Sequence, residues 1–481
     1  MIRGSEMAVI DENAEALGVP RKQLMESSGN AVARVIRDVA EPGADVTIVA
    51  GRGNNGGDAF AAARFLDEFE VRVRLLGRAE SITTEIAREN WEALGSAAYD
   101  ASEVRDSTAV DLGDPDVVVD AMLGTGISGA LREPEATAAA AVNDSDATVV
   151  SVDVPSGLNA ETGELAENAV DPDRVVTFHG TKPGLDALDA AVTVADIGIP
   201  AAASTFVERG DLSRISRDPS SHKGDHGEVL VIGGGPYTGA PALAARAALR
   251  AGADLVRVTC PTSVAHEVQG YSEDLILRPV QGTEFEPGHV GPVMEFAAEH
   301  DALVIGPGLG AAEPVLETAE AVLEAYDGTA VVDADALEVV PDVDTGATLI
   351  CTPHQGELVA MGGRRIEDWR QRMEHVESFA ADLGHTLLVK GPYDVLSDGE
   401  TTRANRTGNP GMTVGGTGDV LAGVTGAFTA TQEPIHAAAL GAYVTGRAGD
   451  IVAEQRGDGL IASELPDAVP DAVTSDRNNS A

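Results

Sequence analysis

Short apolar, β-branched segments alternate along this chain with stretches in which apolar residues recur at helical spacing. The first forty residues have the helical pattern, and six strands follow it at 46–49, 71–76, 117–119, 148–152, 174–177 and 192–195. Alanine-rich helical stretches or loops separate most of these strands, so we expect a parallel sheet covered by helices.

A second series of elements begins after residues 198–222, where Pro200, Pro219 and clustered Ser, Asp and Arg indicate a linker. Its predicted strands are 228–232, 255–258, 302–305, 330–332, 348–350 and 386–389, and its predicted helices are 241–250, 313–326, 367–383, 420–430 and 435–452. The sequence therefore predicts two α/β domains in series, residues 1–210 and 211–470, followed by a polar tail at 471–481.

Composition excludes several classes of protein. At 481 residues the chain is too long for one ordinary core, and no segment approaches the roughly 20 apolar residues that span a bilayer. The N-terminus lacks the apolar stretch of a secretory signal, so we expect a cytoplasmic protein. Cys260 and Cys351 are the only cysteines, too few for a disulfide framework or a cysteine-rich zinc site, and we expect both to be core thiols.

The formal net charge is −45, and the chain has only four lysines: Lys22, Lys182, Lys223 and Lys390. Such a surface repels nucleic acid and anionic membranes, so we expect neither as a partner. The acidic residues are dispersed through periodic segments, and we expect a halophilic archaeon with a salt-loaded cytoplasm as the source. Because lysine is this rare, each lysine is a candidate for a specific role. The alternative is that some of the four lysines have no specific role.

Polar loops follow three predicted strands of the first domain. The loop GRGNNGGD at 51–58 precedes a helix, where glycines allow close backbone approach and free N–H groups favour phosphate. DAMLGTG and DVPSG follow two further strands, and the ends of parallel strands share one edge. Asn55, Asp120 and Ser156 would then surround a hard cation while Asp153 faces a ligand. The alternative is that Asp120 and Asp153 only cap helices or turns.

Together with TFHGTKPGL at 177–185, these loops resemble the NAD(P)H-hydrate epimerase family, also called the YjeF N-terminal domain, over about residues 5–200. The resemblance implies a Rossmann-like three-layer fold, exchange of the R and S epimers of hydrated NADH and NADPH, and potassium held by Asn55, Asp120 and Ser156. Epimer exchange moves a proton at a hemiaminal carbon, and a carboxylate such as Asp153 is chemically suited to act as its acid or base. The hydrate would contact Asn54, Asn55, Gly56, Gly57, Asp58, Gly124, Thr125, Gly126, Ile127, Ser128, Gly129, Ala130 and Asp153. Ala59 departs from the family's glycine.

The second domain carries the run NRTGNPGMTVGGTGD at 405–419, which leads into a predicted helix. Its backbone N–H groups would stabilise charge developing on a phosphoryl group. Asp419, at the helix start, is either an N-cap or a catalytic base beside that anion site. The glycines that precede it favour the interpretation as a catalytic base. Loops 233–240, 306–310 and 352–357 also follow strands, as does Lys390, which suggests a phosphate contact. His354 is either a ligand contact or a capping histidine.

These motifs resemble the ADP- or ATP-dependent NAD(P)H-hydrate dehydratases, a branch of the ribokinase-like α/β fold, over about residues 214–464. The resemblance implies dehydration of the S hydrate, with ADP converted to AMP and phosphate in microbial members. Asp419 would deprotonate the hydrate's hydroxyl and Mg²⁺ would neutralise the phosphates, through ligands that the sequence does not identify. Ala240, Gly308, His354 and Asp419 would contact the hydrate, and Lys390, Gly391, Pro392, Tyr393, Asp394 and Gly418 the nucleotide.

The two domains together describe one repair pathway, because spontaneous hydration gives both epimers and the dehydratase takes only one. Expected small-molecule partners are NADHX, NADPHX, ADP or ATP, and AMP, and we expect a homo-oligomer. Two alternatives stay open at this point: a small-molecule kinase in the second domain, and a non-catalytic nucleotide sensor or partner-binding module in the first.

Overall fold

The computed structural model describes residues 1–126 and 129–478, with side chains through residue 474. The chain divides into two compact units, Met1–Ala203 and a second that begins at Ser204. The first unit contains helices α1 (Gly4–Ala16), α2 (Arg21–Val39), α3 (Asn54–Ala63), α4 (Glu85–Ser96) and α5 (Glu135–Asn143), and strands β1 (Asp45–Ala50), β2 (Glu70–Leu76), β3 (Asp100–Val104), β4 (Val117–Ala121), β5 (Thr148–Val152), β6 (Arg174–Phe178) and β7 (Ala191–Ala195). Helix α6 (Ala202–Thr205) spans the division.

The seven strands of the first unit form one parallel sheet in the order β3-β2-β1-β4-β5-β6-β7. Buried aliphatic side chains on both faces explain why its central strands read as continuous apolar runs. All six predicted strands are present, and the sequence pattern missed β3. The order reverses between β1 and β4, which opens a crevice at their carboxyl ends.

The second unit contains strands β8 (Glu228–Ile232), β9 (Leu255–Thr259), β10 (Ile276–Leu277), β11 (Ala302–Ile305), β12 (Thr329–Val332), β13 (Thr348–Cys351), β14 (Thr386–Val389), β15 (Asp394–Ser397) and β16 (Thr402–Asn405). Its helices are α7 (Gly239–Ala251), α8 (Ala265–Gln269), α9 (Val290–Ala297), α10 (Glu313–Ala325), α11 (Gln355–Ala360), α12 (Trp369–Leu383), α13 (Thr417–Thr429), α14 (Pro434–Arg456) and α15 (Leu465–Asn478).

These strands form a sheet in the order β10-β9-β8-β11-β12-β13-β14-β15-β16. It is parallel through β14, whereas β15 and β16 pair antiparallel. The order reverses between β8 and β11, so this sheet also has a crevice at its switch point. Both units have the predicted α/β architecture, Rossmann-like in the first and ribokinase-like in the second.

The boundary between the units lies earlier than the predicted 210/211. Residues after Ser204 join the second unit because Val207 N donates to Ala404 O, 2.9 Å away, and because the buried Arg403 forms an ion pair with the buried Asp211. The predicted polar tail at 471–481 is also helical through Asn478, as part of α15, since buried apolar residues of that helix pack on the unit's core.

Composition predicts no membrane-spanning segment and two core thiols. Within residues 1–126 and 129–478, no helix has the length and hydropathy needed to cross a bilayer. Cys260 and Cys351 are buried free thiols, and burial raises their pKa to about 11 and about 12, respectively. Both are therefore unreactive core residues, as predicted.

Candidate active sites

The crevice of the first unit is built from closely packed backbone. Gly51, directly after β1, approaches the loop after β4 so closely that a Cβ there would lie 1.8 Å from Met122 O. A Cβ at Gly56, in the first turn of α3, would lie 2.1 Å from Gly51 O. Only glycine fits either position, so the predicted glycine loop is a site of close backbone approach at a helix N-terminus.

Asp120, Ser156 and Asn55 meet at this crevice through one hydrogen-bond network. Ser156 Oγ lies 2.6 Å from Asp120 Oδ1, and Ser156 N donates to Asp120 Oδ2 at 2.8 Å. Ser156 Oγ also accepts from Leu123 N at 3.1 Å, and Asn55 Nδ2 donates to Leu123 O at 2.9 Å. The structure thus brings together the three residues predicted to hold potassium.

The oxygen atoms of this network fit a hard cation. Asn55 Oδ1 is buried and has no hydrogen-bond partner. Asp120 is fully buried and forms no ion pair with the residues that the structure describes, and burial raises its pKa even though bonds from Ser156 and Ser151 oppose the shift. A buried carboxylate and an orphaned amide oxygen are both stabilised by a cation that prefers oxygen ligands.

Asp153 follows β5 with a φ of +63°, a strained backbone conformation for a residue with a side chain. Its Oδ1 lies 2.8 Å from Lys182 Nζ and accepts from Thr177 Oγ1 at 3.1 Å. Its Oδ2 points the other way, since a Cβ at Gly124 would lie 4.0 Å from it. One carboxylate oxygen is held by the protein, and the other lies beside the crevice loops that were predicted to bind the hydrate.

Two further carboxyl groups interact electrostatically with Asp153. Burial raises the pKa of Asp58 well above its usual range, and Asp153 and Asp11 add to this shift while Ser28 and Lys182 oppose it. Burial likewise raises the pKa of Asp11, on α1, to about 6, with Arg21 and Lys182 lowering it and Asp153 raising it. Three carboxyl groups of the first unit are therefore coupled to one another and to the ammonium group of Lys182.

The remaining predicted hydrate contacts lie on the same two loops. Asn54 is exposed and accepts from Thr84 Oγ1 at 2.8 Å, and Gly57, Thr125, Gly126, Gly129 and Ala130 lie in the first turn of α3 or after β4. Ile127 and Ser128 lie outside the described residues. Ala59, the departure from the family pattern, is fully buried in the core side of α3.

In the second unit, the loops after β8 and β11 interlock. Gly234 N donates to Pro307 O at 3.0 Å. Gly308 has a φ of +70°, and a Cβ there would lie 2.3 Å from Tyr237 O and 3.2 Å from the Cβ of Ala240. Ala240 and Gly308, both predicted hydrate contacts, are therefore neighbours at the switch point.

Lys390, after β14, lies in a buried charge network. Its Nζ is 2.9 Å from Asp333 Oδ1 and 3.6 Å from Glu357 Oε2, and Asp333 Oδ1 also accepts from Thr352 Oγ1 at 2.8 Å. Burial alone would lower the pKa of Lys390, but the two carboxylates outweigh that effect and raise it. Lys390 is thus a fixed positive charge at the edge of the sheet.

Asp419 lies in the first turn of α13, close to that charge network. A Cβ at the preceding Gly418 would lie 3.3 Å from Lys390 Nζ and 3.8 Å from Asp333 Oδ2. Helix α13 is capped by Gly416 without any side-chain bond, so Asp419 is not its N-cap. Burial and the nearby Asp333 raise the pKa of Asp419 to about 7, with Lys390 opposing the shift. A carboxyl group with this pKa is suited to proton transfer at neutral pH.

A cavity of about 720 Å³ opens beside Lys390 and Gly418. Most of the predicted nucleotide contacts line it, namely Lys390, Gly391, Pro392, Asp394 and Gly418. His354 lines it as well. Asp394 accepts from Gly391 N at 3.0 Å, and burial raises its pKa to about 6. Tyr393 is the exception, because its ring stacks on Trp369 at 5.0 Å and does not line the cavity.

His354 satisfies both interpretations offered by the sequence. Its Nδ1 accepts from Glu357 N at 2.8 Å, and its own N donates to Glu357 Oε2 at 2.7 Å, which is a capping box at the start of α11. The ring also lines the cavity. The capping bonds therefore fix the orientation of a residue that faces the ligand space.

Four charged residues of these crevices were not predicted as site residues: Asp11, Lys182, Asp333 and Glu357. Asp333 directly follows β12, and the strand-end rule applied to the other loops would have identified it. Lys182 was marked by the rarity of lysine and by its place in the motif TFHGTKPGL, but no role was assigned to it. Its side chain is 1% exposed and bonded to Asp153.

Comparison with known proteins agrees with this division. Residues 21–184 match the family model described as YjeF-related protein N-terminus, and residues 229–471 match the model described as NAD(P)H-hydrate dehydratase. The chain is 43% identical to a protein of Methanothermobacter thermautotrophicus named bifunctional NAD(P)H-hydrate repair enzyme Nnr, covering 97% of this chain and 94% of that one. A Pyrobaculum aerophilum protein of the same name is 42% identical, with 98% of each chain covered.

A solved structure is similar to the second unit. It is the ADP/ATP-dependent NAD(P)H-hydrate dehydratase of Bacillus subtilis, co-crystallised with ATP and Mg²⁺; the TM-score is 0.50 at 26% identity, covering 57% of this chain and 99% of that one. A ribokinase-like protein of Enterococcus faecalis has a TM-score of 0.51 at 23% identity, covering 56% of this chain and 96% of that one, and it supports the fold alone.

Proposed function

Because the chain belongs to the family of bifunctional NAD(P)H-hydrate repair enzymes, we propose that each of its two crevices performs one of the two reactions of that family. The enzyme exchanges the R and S epimers of hydrated NAD(P)H and dehydrates the S epimer to NAD(P)H. Our proposal assigns epimer exchange to the crevice around Asp153 and dehydration to the crevice around Asp419.

In the dehydration, Asp419 accepts the proton of the hydrate's hydroxyl group while that oxygen attacks the terminal phosphorus of the nucleotide. The bond between this phosphorus and the bridging oxygen of the nucleotide breaks. The C–O bond of the phosphorylated hydrate then breaks, and phosphate leaves with its electron pair. The adjacent carbon loses a proton, which restores the double bond. Lys390 and the N-terminus of α13 stabilise the negative charge that moves between these oxygens.

The surroundings of Asp419 are the main support for assigning dehydration to this crevice. Its carboxyl group, with a pKa raised to about 7, is half-buried next to a fixed ammonium group, at the N-terminus of a helix that borders a 720 Å³ cavity. A base, a positive charge and a nucleotide-sized space are the three parts that phosphoryl transfer to an alcohol needs.

In the epimer exchange, Asp153 takes the proton of the hemiaminal hydroxyl through its Oδ2, the oxygen that faces the crevice loops, while the ring C–N bond breaks to give an aldehyde, and passes that proton to the ring nitrogen. The nitrogen then adds back to the other face of the carbonyl group and the proton returns to the oxygen, which gives the opposite epimer. Asp58 and Asp11 are carboxyl groups with raised pKa values in the same crevice. The glycine loop and the N-terminus of α3 bind the phosphates of the hydrate.

Potassium belongs to this proposal at Asn55, Asp120 and Ser156, where it would supply a positive charge to the buried carboxylate. For magnesium, the described residues contain no group of three or more His, Cys, Asp or Glu side chains able to hold a metal ion. We therefore assign magnesium to the phosphates of the bound nucleotide, where it would neutralise their charge.

The nucleotide in our proposal is ADP, which gives AMP and phosphate, with ATP as the alternative donor. The cavity of about 720 Å³ has room for either nucleotide. A cytoplasmic location is part of the proposal, since reduced nicotinamide nucleotides are used in the cytoplasm. A homo-oligomeric state is also part of it.

Two matched variants test the assignment of the crevices. Asp153→Asn is expected to abolish exchange of the separated epimers while the S hydrate is still dehydrated, and Asp419→Asn is expected to do the reverse. Exchange is followed chromatographically without nucleotide, and dehydration is followed with nucleotide and magnesium. The assignment of the two crevices is wrong if both variants impair the same reaction. It is also wrong if one of the variants impairs neither reaction.

A further inference from the structure

The crevice of the first unit holds an ammonium group that the proposed epimer exchange has not used. Lys182 lies after β6, four residues beyond the end of that strand (Phe178), and its side chain is 1% exposed. Burying a lysine is costly unless its charge is paired. In a chain with only four lysines, such a residue needs a specific explanation.

The ammonium group of Lys182 is held directly beside Asp153. Lys182 Nζ lies 2.8 Å from Asp153 Oδ1 and donates to Thr177 Oγ1 at 2.8 Å, while Thr177 Oγ1 donates to the same Asp153 oxygen at 3.1 Å. The carbonyl oxygens of Phe178 and Gly180 accept at 3.1 and 3.3 Å. The lysine is thus anchored by backbone on one side and holds one carboxylate oxygen on the other.

We propose that Lys182 is the positioning residue of the epimerase crevice: it fixes Oδ1 of Asp153, leaves Oδ2 for the hydrate, and supplies the positive charge shared by Asp153, Asp58 and Asp11. This inference rests on the assignment of epimer exchange to the first unit. Lys182 itself does not touch the reacting atoms in this account, because its Nζ is enclosed by the groups just named.

Charge balance supports the proposal. Asp153, Asp58 on α3 and Asp11 on α1 interact electrostatically, and Lys182 lowers the pKa of both Asp58 and Asp11 against the larger effect of burial. The other charged groups at Asp11 are Arg21 and Glu12, which act in opposite directions. Loss of the ammonium group would therefore raise the pKa of these carboxyl groups further and protonate the cluster at higher pH.

The test compares Lys182→Gln, which removes the charge, with Lys182→Arg, which keeps it, in the full-length chain at saturating potassium. We expect kcat for exchange to fall about 100-fold in Lys182→Gln with little change in KM, since a misplaced catalytic group costs about that factor. We also expect the acid limb of its pH–rate profile to move to higher pH. Lys182→Arg is expected to keep exchange within about tenfold of the parent enzyme.

Lys22→Gln is the matched control, because Lys22 is an exposed lysine of the same unit and forms an ion pair with Glu89. Dehydration of the S hydrate, which uses the second unit, reports that each variant remains folded there, and circular dichroism reports on the whole chain. Thr177→Val removes the other donor to the same oxygen, and we expect it to lower kcat by about tenfold. That variant decides the question if Lys182→Gln does not fold.

Several results would overturn the proposal. A folded Lys182→Gln with unchanged kcat and unchanged acid limb would show that the ammonium group has no part in the reaction. Equal losses in Lys182→Gln and Lys182→Arg would assign the residue to packing. If Asp153→Asn still exchanges the epimers, the assignment of the crevice itself fails, which is a different outcome from failure of Lys182 alone.

Discussion

Asp419→Asn is the most informative single substitution in the second unit. The amide has nearly the shape of the carboxyl group but does not accept a proton, so the variant removes the proposed base and little else. In the parent enzyme, burial and Asp333 raise the pKa of Asp419 to about 7, with Lys390 opposing them. The consequences of the substitution for rate, for pH dependence and for stability all follow from this environment.

The loss of rate is set by the size of general-base catalysis, about 10²- to 10⁴-fold. The pH dependence follows from the pKa. With a value of about 7, roughly one tenth of Asp419 is ionised at pH 6 and roughly nine tenths at pH 8. Because the base acts in its ionised form, kcat/KM for dehydration in the parent enzyme is expected to rise about tenfold over this range. The variant has no such titration, and its residual rate is expected to lack that rise.

Stability moves in the opposite direction. The pKa of Asp419 is higher in the folded chain than the ordinary value of 3.8, so the folded state binds the proton more tightly than the unfolded state. Ionising the group therefore costs the folded state free energy, and this cost grows as the pH rises from about 4 to 7. Asparagine removes the cost, and we expect the thermal midpoint at pH 7.5 to stay equal or increase.

The assay uses the separated S hydrate with magnesium and nucleotide, and follows reduced nicotinamide near its absorbance band at about 340 nm. Asp327→Asn is a suitable control because Asp327 lies in the same unit, in the loop between α10 and β12. Dehydration by folded Asp419→Asn at more than about a tenth of the parent rate would refute the role of Asp419. A parent rate that does not change between pH 6 and pH 8 would refute the reasoning about its pKa.

Further predictions concern other parts of the chain. Asn55→Leu should abolish activation of epimer exchange by KCl over NaCl and leave dehydration intact, measured by salt titration. Gly308→Ala should lower kcat/KM for dehydration at least about tenfold, because its Cβ would lie 2.3 Å from Tyr237 O. Arg403→Met should cost about 3 kcal/mol of stability by denaturant unfolding, because the buried Asp211 loses its guanidinium partner. Dialysis from molar salt to low salt should lower the thermal midpoint, since the net charge is −45.

The sequence predicts the buried parts of the fold well because burial leaves a direct pattern. Central strands such as β4 and β11 are covered on both faces and therefore read as short apolar runs. The missed strands are those without such a run. Strand β3 is an edge strand with the sequence DASEV, β10 has two residues, and β15 and β16 form an antiparallel hairpin with polar residues at their ends.

Glycine loops at strand ends are predictable from the sequence, and the side chains that support them are less so. Gly51 and Gly308 have contacts that exclude any Cβ, so their motifs are recognisable. The partners of the charged residues depend on which strands are neighbours. Lys182 is buried and Lys390 is half-buried, and both form ion pairs, whereas Lys22 and Lys223 are exposed. Only the fold identifies which carboxylates pair with the ammonium groups of Lys182 and Lys390.

The measurement that tests the central claim most directly is recovery of NADH from a mixture of NADHX epimers, with magnesium, potassium and high salt, and with ADP or ATP added separately. The account predicts that absorbance near about 340 nm rises with at least one nucleotide and that both epimers are consumed, because the first unit converts R to S. It also predicts that ADP serves as the donor and yields AMP and phosphate. Folded protein that restores no absorbance with either nucleotide would contradict the account.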